Sequence, residues 1–429
     1  MNFHKKTVKD INLKNKRVLL RADFNVPLGK NGAIANDFRI RQSLPTIEYL
    51  LDQKCAVIIC SHLGRPKGRR DRQYSLRPVA KHLSTLLKKQ VSFVYDCVGP
   101  EVEKAVKGIE PGQVLLLENL RFYAEEEKND DKFAGQLAKL AQVFVQDGFG
   151  VAHRAHASTE AITSHIPSVA GLLLEKEYIA TNNVMNKVER PLLAIVGGSK
   201  ISDKIEILKK FVSTADFLAV GGAMANTFLL AEGIEVGKSV VEKDDVPLAK
   251  DILRLCRTEA KRRPFIFYLP QDGVVADKIE KTARTHIVDW GAHVVADIEN
   301  YPRRSTREDR VVKSTEFILD IGPFSGAFIA GGIQLANTVI WNGTMGVTEV
   351  DSLNGPVGPF AHGSELIVEA MLGQFGHRPY SFVGGGDTAG YVEKLGLTNA
   401  FDHVSTGGGA GLELMAGKKL PGVEALQDR

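Results

Sequence analysis

Short uninterrupted runs of apolar residues recur along the chain, and each is followed by a loop rich in polar residues or glycine. Such runs are typical of strands that are buried on both faces of a parallel sheet. Segments between them carry apolar residues at helical spacing, as from Asp37 through Leu51. This alternation predicts an α/β protein built on parallel sheets. The predicted strands are 18–20, 56–60, 114–117, 143–145, 192–196, 217–220, 266–269, 338–341 and 381–383.

The strand series is interrupted by a helical segment near 176–186. At 429 residues the chain is also too long for one comfortable hydrophobic core. We therefore expect two doubly wound parallel-sheet (Rossmann-like) domains joined by a hinge helix. The expected bounds are 1–175 for the first domain, 176–190 for the connecting helix and hinge, 191–403 for the second domain, and 404–429 for a tail that packs back on the first.

The charge is unevenly distributed along the chain. Residues 1–90 hold 20 Lys and Arg against 6 Asp and Glu, whereas the remainder holds 35 against 45. The basic portion implies an anionic partner. Nucleic-acid binding usually interleaves basic residues with aromatic ones, but these arginines stand singly in turns with Gly, Asp and His. A small phosphorylated metabolite fits this pattern better, and we expect no nucleic-acid partner.

Cysteine usage and hydropathy indicate the cellular compartment. The four cysteines, Cys55, Cys60, Cys97 and Cys256, form no Cys-x-x-Cys pair, which argues against a zinc or redox motif and suits reduced thiols. The first 15 residues are polar and lysine-rich, so no signal peptide is expected. No apolar run reaches the roughly 18 residues of a transmembrane helix. We therefore expect a cytoplasmic protein without a membrane partner.

In the first half, the loops that follow four predicted strands each carry an arginine. They are Arg21, Arg65, Arg121 and Arg154. Because the carboxyl ends of parallel strands meet at one edge of a sheet, these side chains are expected to lie close together and bind an anion. Asp23, Asn25 and His62 belong to the same loops, although simple turn and structural roles would require the same residue types.

The loops of the second half are rich in glycine instead, as at 221–223, 342–346 and 384–388. The most distinctive is Gly197–Lys204. Its lysines, Lys200 and Lys204, are spaced i, i+4, and are predicted to project from one face of a helix that starts at the adjacent serines. Two ammonium groups at a helix N-terminus suit a phosphate chain. A solvated first helical turn is the alternative.

Two further glycine motifs invite a different interpretation. Gly233–Ser239 resembles a P-loop but is one residue short, with Glu232 in place of the first glycine, and it continues a helix. Residues 384–389 fit a loose dinucleotide fingerprint but lie too late in the chain to open a Rossmann half. We assign no site to either. Tyr301–Arg310, rich in arginine and acidic residues, is predicted to be a surface excursion.

Laid side by side, these loops resemble those of the phosphoglycerate kinase family over essentially the whole chain. The matching segments are Arg21–Leu28, Ser61–Pro66, Leu117–Phe122, Phe149–Ser158, Gly197–Lys204, Trp341–Gly346, Gly384–Thr388 and Ser405–Gly409. The resemblance implies reversible phosphoryl transfer from 1,3-bisphosphoglycerate to ADP, giving 3-phosphoglycerate and ATP, with Mg²⁺. It also implies that the first domain binds the phosphoglycerate, that the second binds the nucleotide, and that hinge closure brings them together.

The resemblance assigns roles to individual residues. Those implied to bind the phosphoglycerate are Asp23, Asn25, Arg39, His62, Arg65, Arg121 and Arg154. Those implied to bind the nucleotide are Gly198, Ser199, Lys200, Lys204, Gly221, Gly222, Asn342, Glu349, Gly384, Gly385, Gly386, Asp387 and Thr388. Among these, Glu349 matches the ribose-binding acid, and Asp387 the ligand of the nucleotide-bound Mg²⁺. Arg39 and Lys200 are the implied catalytic residues, since both would stabilise the transferring phosphoryl group.

The chain departs from the family pattern only on the nucleotide side. Ser199 stands where alanine is usual, Thr344 where proline is usual, and Thr348 where phenylalanine is common. Gln271 and Gly273 alter a usual Leu-Pro-Val-Asp pattern. The choice between ATP and GTP therefore stays open.

Two other function classes are weaker. A nucleotide-dependent dehydrogenase would need an early Gly-x-Gly-x-x-Gly, which the chain lacks. A non-catalytic binding relative would be indicated by loss of Arg39, Lys200 or Asp387, and all three are present. A two-domain hinge enzyme can work alone, so a monomer is expected.

Overall fold

The computed structural model of the protein describes residues 3–29, 32–291, 311–353, 355 and 357–429. The chain divides into two compact units. Unit 1 comprises Met1–Asn183 with Thr406–Arg429, and unit 2 comprises Val184–Ser405. The segment Tyr301–Arg310, for which a surface excursion is predicted, lies outside the described residues.

The described part of unit 1 holds a six-stranded sheet in which every neighbouring pair is parallel. Its strands are β1 (Arg17–Arg21), β2 (Ala56–Cys60), β3 (Val91–Phe93), β4 (Val114–Leu116), β5 (Val143–Gln146) and β6 (Ser168–Ala170). Their order across the sheet is β3-β4-β2-β1-β5-β6. Starting at the central β1, the chain first forms the strands on the β3 side of the sheet and then those on the β6 side, as in a doubly wound fold.

Helices cover both faces of this sheet. They are α1 (Phe38–Asp52), α2 (Arg77–Leu87), α3 (Pro100–Lys107), α4 (Ala124–Glu127), α5 (Asp131–Ala138) and α6 (Leu172–Asn186). Because successive side chains of a strand point to opposite faces of the sheet, β1 contributes to two hydrophobic clusters, one on each face. Val18 and Leu20 join a cluster that contains Ile47 of α1, whereas Leu19 joins one that contains Phe133 of α5.

Unit 2 is built on two sheets. Its strands are β7 (Leu192–Val196), β8 (Phe217–Val220), β9 (Ile266–Tyr268), β10 (Asp272–Ala276), β11 (Thr285–Asp289), β12 (Phe317–Ile321), β13 (Thr338–Asn342), β14 (Tyr380–Gly384) and β15 (His403–Val404). Six of them form a parallel sheet in the order β15-β14-β13-β7-β8-β9. The expectation of two parallel-sheet α/β domains is confirmed.

A second, antiparallel sheet of unit 2 has the order β11-β10-β12. None of its strands was among those predicted from apolar runs. It is a separate hydrogen-bonded sheet, and its central strand begins immediately after the loop that leaves β9.

The helices of unit 2 complete its layers. They are α7 (Ile205–Thr214), α8 (Gly222–Ala231), α9 (Val246–Arg262), α10 (Pro323–Leu335), α11 (His362–Met371) and α12 (Gly386–Lys394). A Cβ added to Gly332 of α10 would overlap Phe217 of β8, so this helix packs closely against the parallel sheet. No helix in the described ranges is both long and apolar enough to cross a membrane.

Residues 406–429 return to unit 1 and carry α13 (Gly409–Met415) and α14 (Pro421–Glu424). Leu414 and Leu420 share a cluster with Phe3 and Leu174. Lys6 N–H donates to Gln427 O at 2.8 Å, which ties the tail to the beginning of the unit.

Candidate active site

Each parallel sheet has a central strand, β1 or β7, that pairs with a later strand of the chain on either side. In unit 1, β1 pairs with β2 on one side and with β5 on the other. In unit 2, β7 pairs with β8 and with β13. Loops that follow the strands on either side of such a central strand form a crevice, which is the usual ligand site of open α/β sheets.

In unit 1, Asp23 lies at the centre of a polar group just beyond β1. Its Oδ2 accepts a hydrogen bond from Arg39 Nη1 at 2.8 Å, and His62 Nδ1 lies 3.8 Å from its other oxygen. Asn25 Oδ1 accepts from Gly64 N–H at 2.8 Å. The structure therefore brings together residues from the loops after β1 and β2 and from the first turn of α1.

Arg21 differs from the other post-strand arginines. It is 1% exposed, and its Nε donates to Ser158 Oγ at 2.8 Å. Its Nη2 lies 4.0 Å from Oε1 of the fully buried Glu126, which also accepts a 2.6 Å hydrogen bond from Ser158 Oγ. These contacts give Arg21 hydrogen-bond partners inside unit 1, and Arg21 is not among the residues that the resemblance assigns to the phosphoglycerate.

Arg121 is buried but not fully paired. Its Nη1 donates to Gly64 O at 2.8 Å, and its Nε lies 3.3 Å from Glu127 Oε1. Its Nη2 is buried and has no hydrogen-bond partner within the described residues. Burial lowers the pKa of this guanidinium to about 10. A buried donor without a partner costs about 1–3 kcal/mol, so an anionic ligand that accepts from Nη2 would relieve a standing penalty.

Three histidines of unit 1 lie in the same basic surroundings. Burial lowers the pKa of His62 well below its usual value, and the guanidinium groups of Arg21, Arg121, Arg39 and Arg154 lower it further. Burial likewise lowers the pKa of His153 to about 4 and that of His156 to about 3. All three are therefore neutral at pH 7. Four guanidinium groups, those of Arg21, Arg39, Arg121 and Arg154, therefore act on His62, and Arg65 is not among them.

The remaining predicted residues of unit 1 are more accessible. Arg65 is exposed on the loop after β2, and Arg154 is half-buried with its Nε 3.2 Å from His153 Nε2. His153 was not among the predicted site residues. A Cβ added to Gly409 would lie 3.3 Å from its Nε2, and one added to Gly408 would lie 3.9 Å from Arg39 Nη2. The tail thus borders the same site, which no local sequence signal indicates.

In unit 2, helical structure after β7 begins at Ser202, one of the two serines predicted to start it, and not at Ser199. Residues 202–204 form a short 3₁₀ turn, and α7 begins only at Ile205. Lys200 therefore lies in an exposed loop before the helix, and the prediction that it shares a helix face with Lys204 is wrong. The two glycines and the buried Ile201 hold this segment close to the sheet, which delays the helix.

Lys204 is turned toward the neighbouring strand ends. Its Nζ donates to Gly197 O at 2.6 Å, to Asn342 O at 2.9 Å and to Asn342 Oδ1 at 2.7 Å. Burial lowers the pKa of Lys204 to about 8, against the opposing effects of Asp387 and Asp203. The ammonium thus joins the loop after β7 to the loop after β13.

Glycines let the loops after β7, β8 and β13 interlock. Gly198 has φ +106° and Gly222 φ +64°, conformations that favour glycine. A Cβ on Gly222 would lie 2.7 Å from Gly198 N. Gly221 sits directly against Met345, and Gly343 N–H donates to Thr388 Oγ1 at 2.6 Å. Most of these glycines therefore serve loop packing as well as any ligand.

A cavity of about 220 Å³ opens beside these loops. Five predicted nucleotide-site residues line it: Gly198, Ser199, Gly222, Glu349 and Asp387. The others lie behind or beside it, namely Lys200, Lys204, Gly221, Asn342, Gly384, Gly385, Gly386 and Thr388. Gly385 approaches Asn342, whose buried Nδ2 has no hydrogen-bond partner within the described residues.

The antiparallel sheet supplies cavity residues that sequence reasoning missed. Asp272, Trp290, Leu319 and Asp320 all line the cavity. Asp320 accepts from Gly363 N–H at 2.9 Å, and burial raises its pKa to about 8. The only sequence signal for this region was the departure at Gln271 and Gly273, which marked it as unusual without giving its fold.

The metal-ligating side chains at the cavity of unit 2 suit a metal ion that takes most of its ligands from a bound molecule. Within the ranges that the structure describes, no group of three or more His, Cys, Asp or Glu side chains is arranged to hold a metal ion. Asp387 presents one carboxylate from the first turn of α12 to the cavity. Mg²⁺ commonly uses one or two protein carboxylates and takes its other ligands from water and phosphate oxygens.

Comparison with known proteins gives a consistent result. The profile of the phosphoglycerate kinase family matches residues 8–418. The phosphoglycerate kinase of Moorella thermoacetica is 47% identical over 425 residues, covering 99% of this chain and 100% of that protein. That of Pelotomaculum thermopropionicum is 46% identical with the same coverage.

Solved structures agree with the sequence comparison. The structure of phosphoglycerate kinase from Coxiella burnetii is similar with a TM-score of 0.76 and 37% identity. That from Pyrococcus horikoshii has a TM-score of 0.82 and 29% identity. In each comparison 98% of both chains is covered.

Proposed function

This chain belongs to the phosphoglycerate kinase family, and we propose that its two units divide the family's two substrates between them. The chain is a glycolytic phosphotransferase with a carboxyl group as acceptor. It transfers a phosphoryl group reversibly between 1,3-bisphosphoglycerate and ADP, giving 3-phosphoglycerate and ATP. The proposal concerns which residues bind, orient and stabilise these molecules.

The phosphoglycerate binds to the loops of unit 1. The observation that carries this assignment is the buried Nη2 of Arg121, which lacks a partner within the described residues. Arg121 and Arg39, which pairs with Asp23, both lower the pKa of His62. Arg39, Arg65 and Arg154 supply further guanidinium groups, which suit carboxylate and phosphate oxygens. Asp23, Asn25 and the neutral His62 fix the substrate hydroxyl and the arginines.

The nucleotide binds in the cavity of unit 2. Its phosphates lie over the loops at Gly198, Asn342 and 384–386, within reach of Lys204 and Thr388, and its ribose contacts Glu349. Asp387 holds the Mg²⁺ that accompanies the nucleotide; when bound, this ion neutralises phosphate charge. Gly221 and Gly222 support the wall of the base pocket. The preference of this pocket for adenine or guanine stays open.

Transfer requires alignment and positive charge more than proton chemistry. The acceptor carboxylate is ionised near neutral pH, so no general base is needed. Arg39 from unit 1 and Lys200 from unit 2 stabilise the charge on the transferring phosphoryl group. Because the substrates occupy different units, the units close on each other during the reaction and exclude water from it. The connecting element is α6, which runs from unit 1 into unit 2.

The assignment is tested by MgATP-dependent phosphorylation of 3-phosphoglycerate, coupled to glyceraldehyde-3-phosphate dehydrogenase and NADH consumption. Arg65 and Asp387 are both exposed, so Arg65→Ala and Asp387→Asn should leave the fold intact. Arg65→Ala is expected to raise the KM for 3-phosphoglycerate alone, and Asp387→Asn to impair use of MgATP. The residue assignment would be contradicted if the unchanged protein is active but the two effects are exchanged between the variants, or if neither variant shows its expected effect.

The chain works as a monomer in the cytoplasm. Each substrate site is composed of residues from one unit, so no second copy is required for the chemistry. All four cysteines are buried and unpaired, as suits a reducing compartment. Light scattering of the purified protein at assay concentration tests the monomer; a stable dimer would contradict it.

A further inference from the structure

Trp290 is fixed beside the cavity of unit 2 by hydrogen bonds at both its side chain and the following residue. It comes directly after β11, and its indole lines the cavity. Its Nε1 donates to Pro270 O at 2.8 Å, and Gly291 N–H donates to Gln271 O at 2.8 Å. The indole plane is therefore held in one orientation before any ligand binds.

Gly273 provides the space that this orientation requires. A Cβ on Gly273 would lie 2.7 Å from Cη2 of Trp290 and 3.1 Å from its Cζ3. Real Cβ atoms essentially never approach another atom so closely, so any larger residue would displace the indole. Gly273 is one of the two residues that depart from the usual Leu-Pro-Val-Asp pattern. Gly273 in β10 and Trp290 directly after β11 thus form a matched pair.

The two sides of the cavity differ in chemistry. Gly198, Ser199 and Asp387 come from loops at the strand ends of the parallel sheet. Val240, Phe317 and Trp290 present apolar surface at the antiparallel sheet or near it. A nucleotide has the same division, with charged phosphates at one end and a flat base at the other.

We propose that the indole of Trp290 contacts the base of the bound nucleotide. The inference rests on the proposed nucleotide site in unit 2 and adds a residue that the resemblance does not assign. Because Nε1 is already bonded to Pro270, the indole offers only its ring, which can contact any base through its π face. Trp290 therefore strengthens nucleotide binding without selecting between adenine and guanine.

The first test is calorimetric binding of MgADP, MgGDP and magnesium diphosphate to the full chain. Diphosphate reports the phosphate contacts without a base. Trp290→Ala is expected to raise the Kd of MgADP and MgGDP alike by roughly 5- to 100-fold, the range of one base–aromatic stack. The Kd of diphosphate should stay the same, and Trp290→Phe should recover part of the loss. Phe375→Ala, which removes an exposed aromatic residue outside the cavity lining, is the matched control.

Gly273→Ala gives an independent test that keeps the indole in the chain. It should displace the ring and weaken MgADP binding while leaving diphosphate binding unchanged. If Trp290→Ala weakens diphosphate and MgADP equally, or weakens neither, Trp290 does not contact the base and the inference is overturned. If the unchanged protein binds diphosphate and MgADP with equal affinity, no base pocket exists, and the proposed nucleotide site itself fails.

Discussion

Lys204 donates a 2.7 Å hydrogen bond to Oδ1 of Asn342, 138 residues further along the chain. The same ammonium also bonds the backbone oxygens of Gly197 and Asn342. Three acceptors use the three N–H bonds of a charged lysine, whereas a neutral amine could supply only two. Loop order at the nucleotide site therefore depends on the protonation of Lys204.

This dependence predicts a pH effect on nucleotide use. Burial lowers the pKa of Lys204 to about 8, so the ammonium loses its proton as the pH rises from about 7 to 9. The kcat/KM for MgATP, which reports ionisations of the free enzyme, should fall over this range. Lys204→Arg stays charged throughout, so its profile should lack this decline even if its activity is lower. The same decline in both proteins would show that another group causes it.

Lys200→Ala should reduce kcat by ~10²–10³-fold, the usual effect of one electrostatic group at a transition state. The side chain is exposed, so the melting temperature should not change. Lys209→Ala removes an exposed lysine of α7 that pairs with Glu206 and serves as the matched control. Coupled-assay kinetics measure both, and near-normal turnover of Lys200→Ala would refute its catalytic role.

Arg39→Ala should cause a loss of turnover of similar size, ~10²–10³-fold. The substitution also removes the ion-pair partner of the mostly buried Asp23, so we expect some loss of thermal stability alongside an intact fold. Arg39→Lys keeps a positive charge but not the planar fork, and should recover stability better than activity. An Arg39→Ala enzyme with unchanged kcat would contradict the assignment.

Gly197→Ala should disturb the nucleotide site because its Cβ would overlap the carbonyl oxygens of Thr344 and Gly343. We expect a lower melting temperature and a higher KM for MgATP. Gly331→Ala is the control within unit 2, since a Cβ there meets no atom within 4 Å. Gly331 lies inside α10, where alanine should stabilise by about 0.5–1 kcal/mol. Equal effects of the two substitutions would contradict the packing argument.

Asp147 should make stability depend on pH. It accepts from Leu173 N–H at 2.9 Å at the start of α6, and burial raises its pKa to about 7. Between about pH 4 and 7 the folded state holds a proton that the unfolded state has released, so its contribution to the free energy of unfolding falls by up to ~1.4 kcal/mol per pH unit.

The non-titrating variant Asp147→Asn isolates this contribution. Urea unfolding of both proteins between about pH 4 and 8 should show the stability of the unchanged protein falling relative to the variant up to about pH 7 and no further. A constant difference across the whole range would show that Asp147 does not titrate there.

Sequence analysis predicted strands from short runs that are wholly or mostly apolar. The central strands β1, β2, β7 and β13 are buried on both faces and leave a continuous apolar run. β3 and β6, which were not predicted, have three residues each, one of which is a serine, so neither is a continuous apolar run. Continuity of the apolar run therefore decided which of these strands the sequence could reveal.

The strands of the antiparallel sheet of unit 2 were not predicted, for a different reason. β11 is mostly exposed, and its sequence Thr285–Asp289 mixes polar and apolar residues without a run. β10 was noticed only as a departure from a known pattern. Its pairing with β12 joins residues more than 40 positions apart, and such pairing leaves no local signal.

The positions of Asp23 and Arg121 beyond strand ends were predictable, because each follows an apolar run that forms a strand. Positions were not predictable where neighbouring packing decides the backbone, as for Lys200, which lies in a loop where i, i+4 spacing suggested a helix. His153 and the tail glycines reach the site through tertiary packing alone.

The return of residues 406–429 to unit 1 has a consequence for biosynthesis. A ribosome must translate all of unit 2 before it releases the segment that covers Phe3, Phe149 and Leu174. Until then, these apolar side chains lack part of their cover, so unit 1 is exposed to aggregation and chaperone binding while unit 2 can already fold. Unit 1, which is translated first, is therefore the last to be completed.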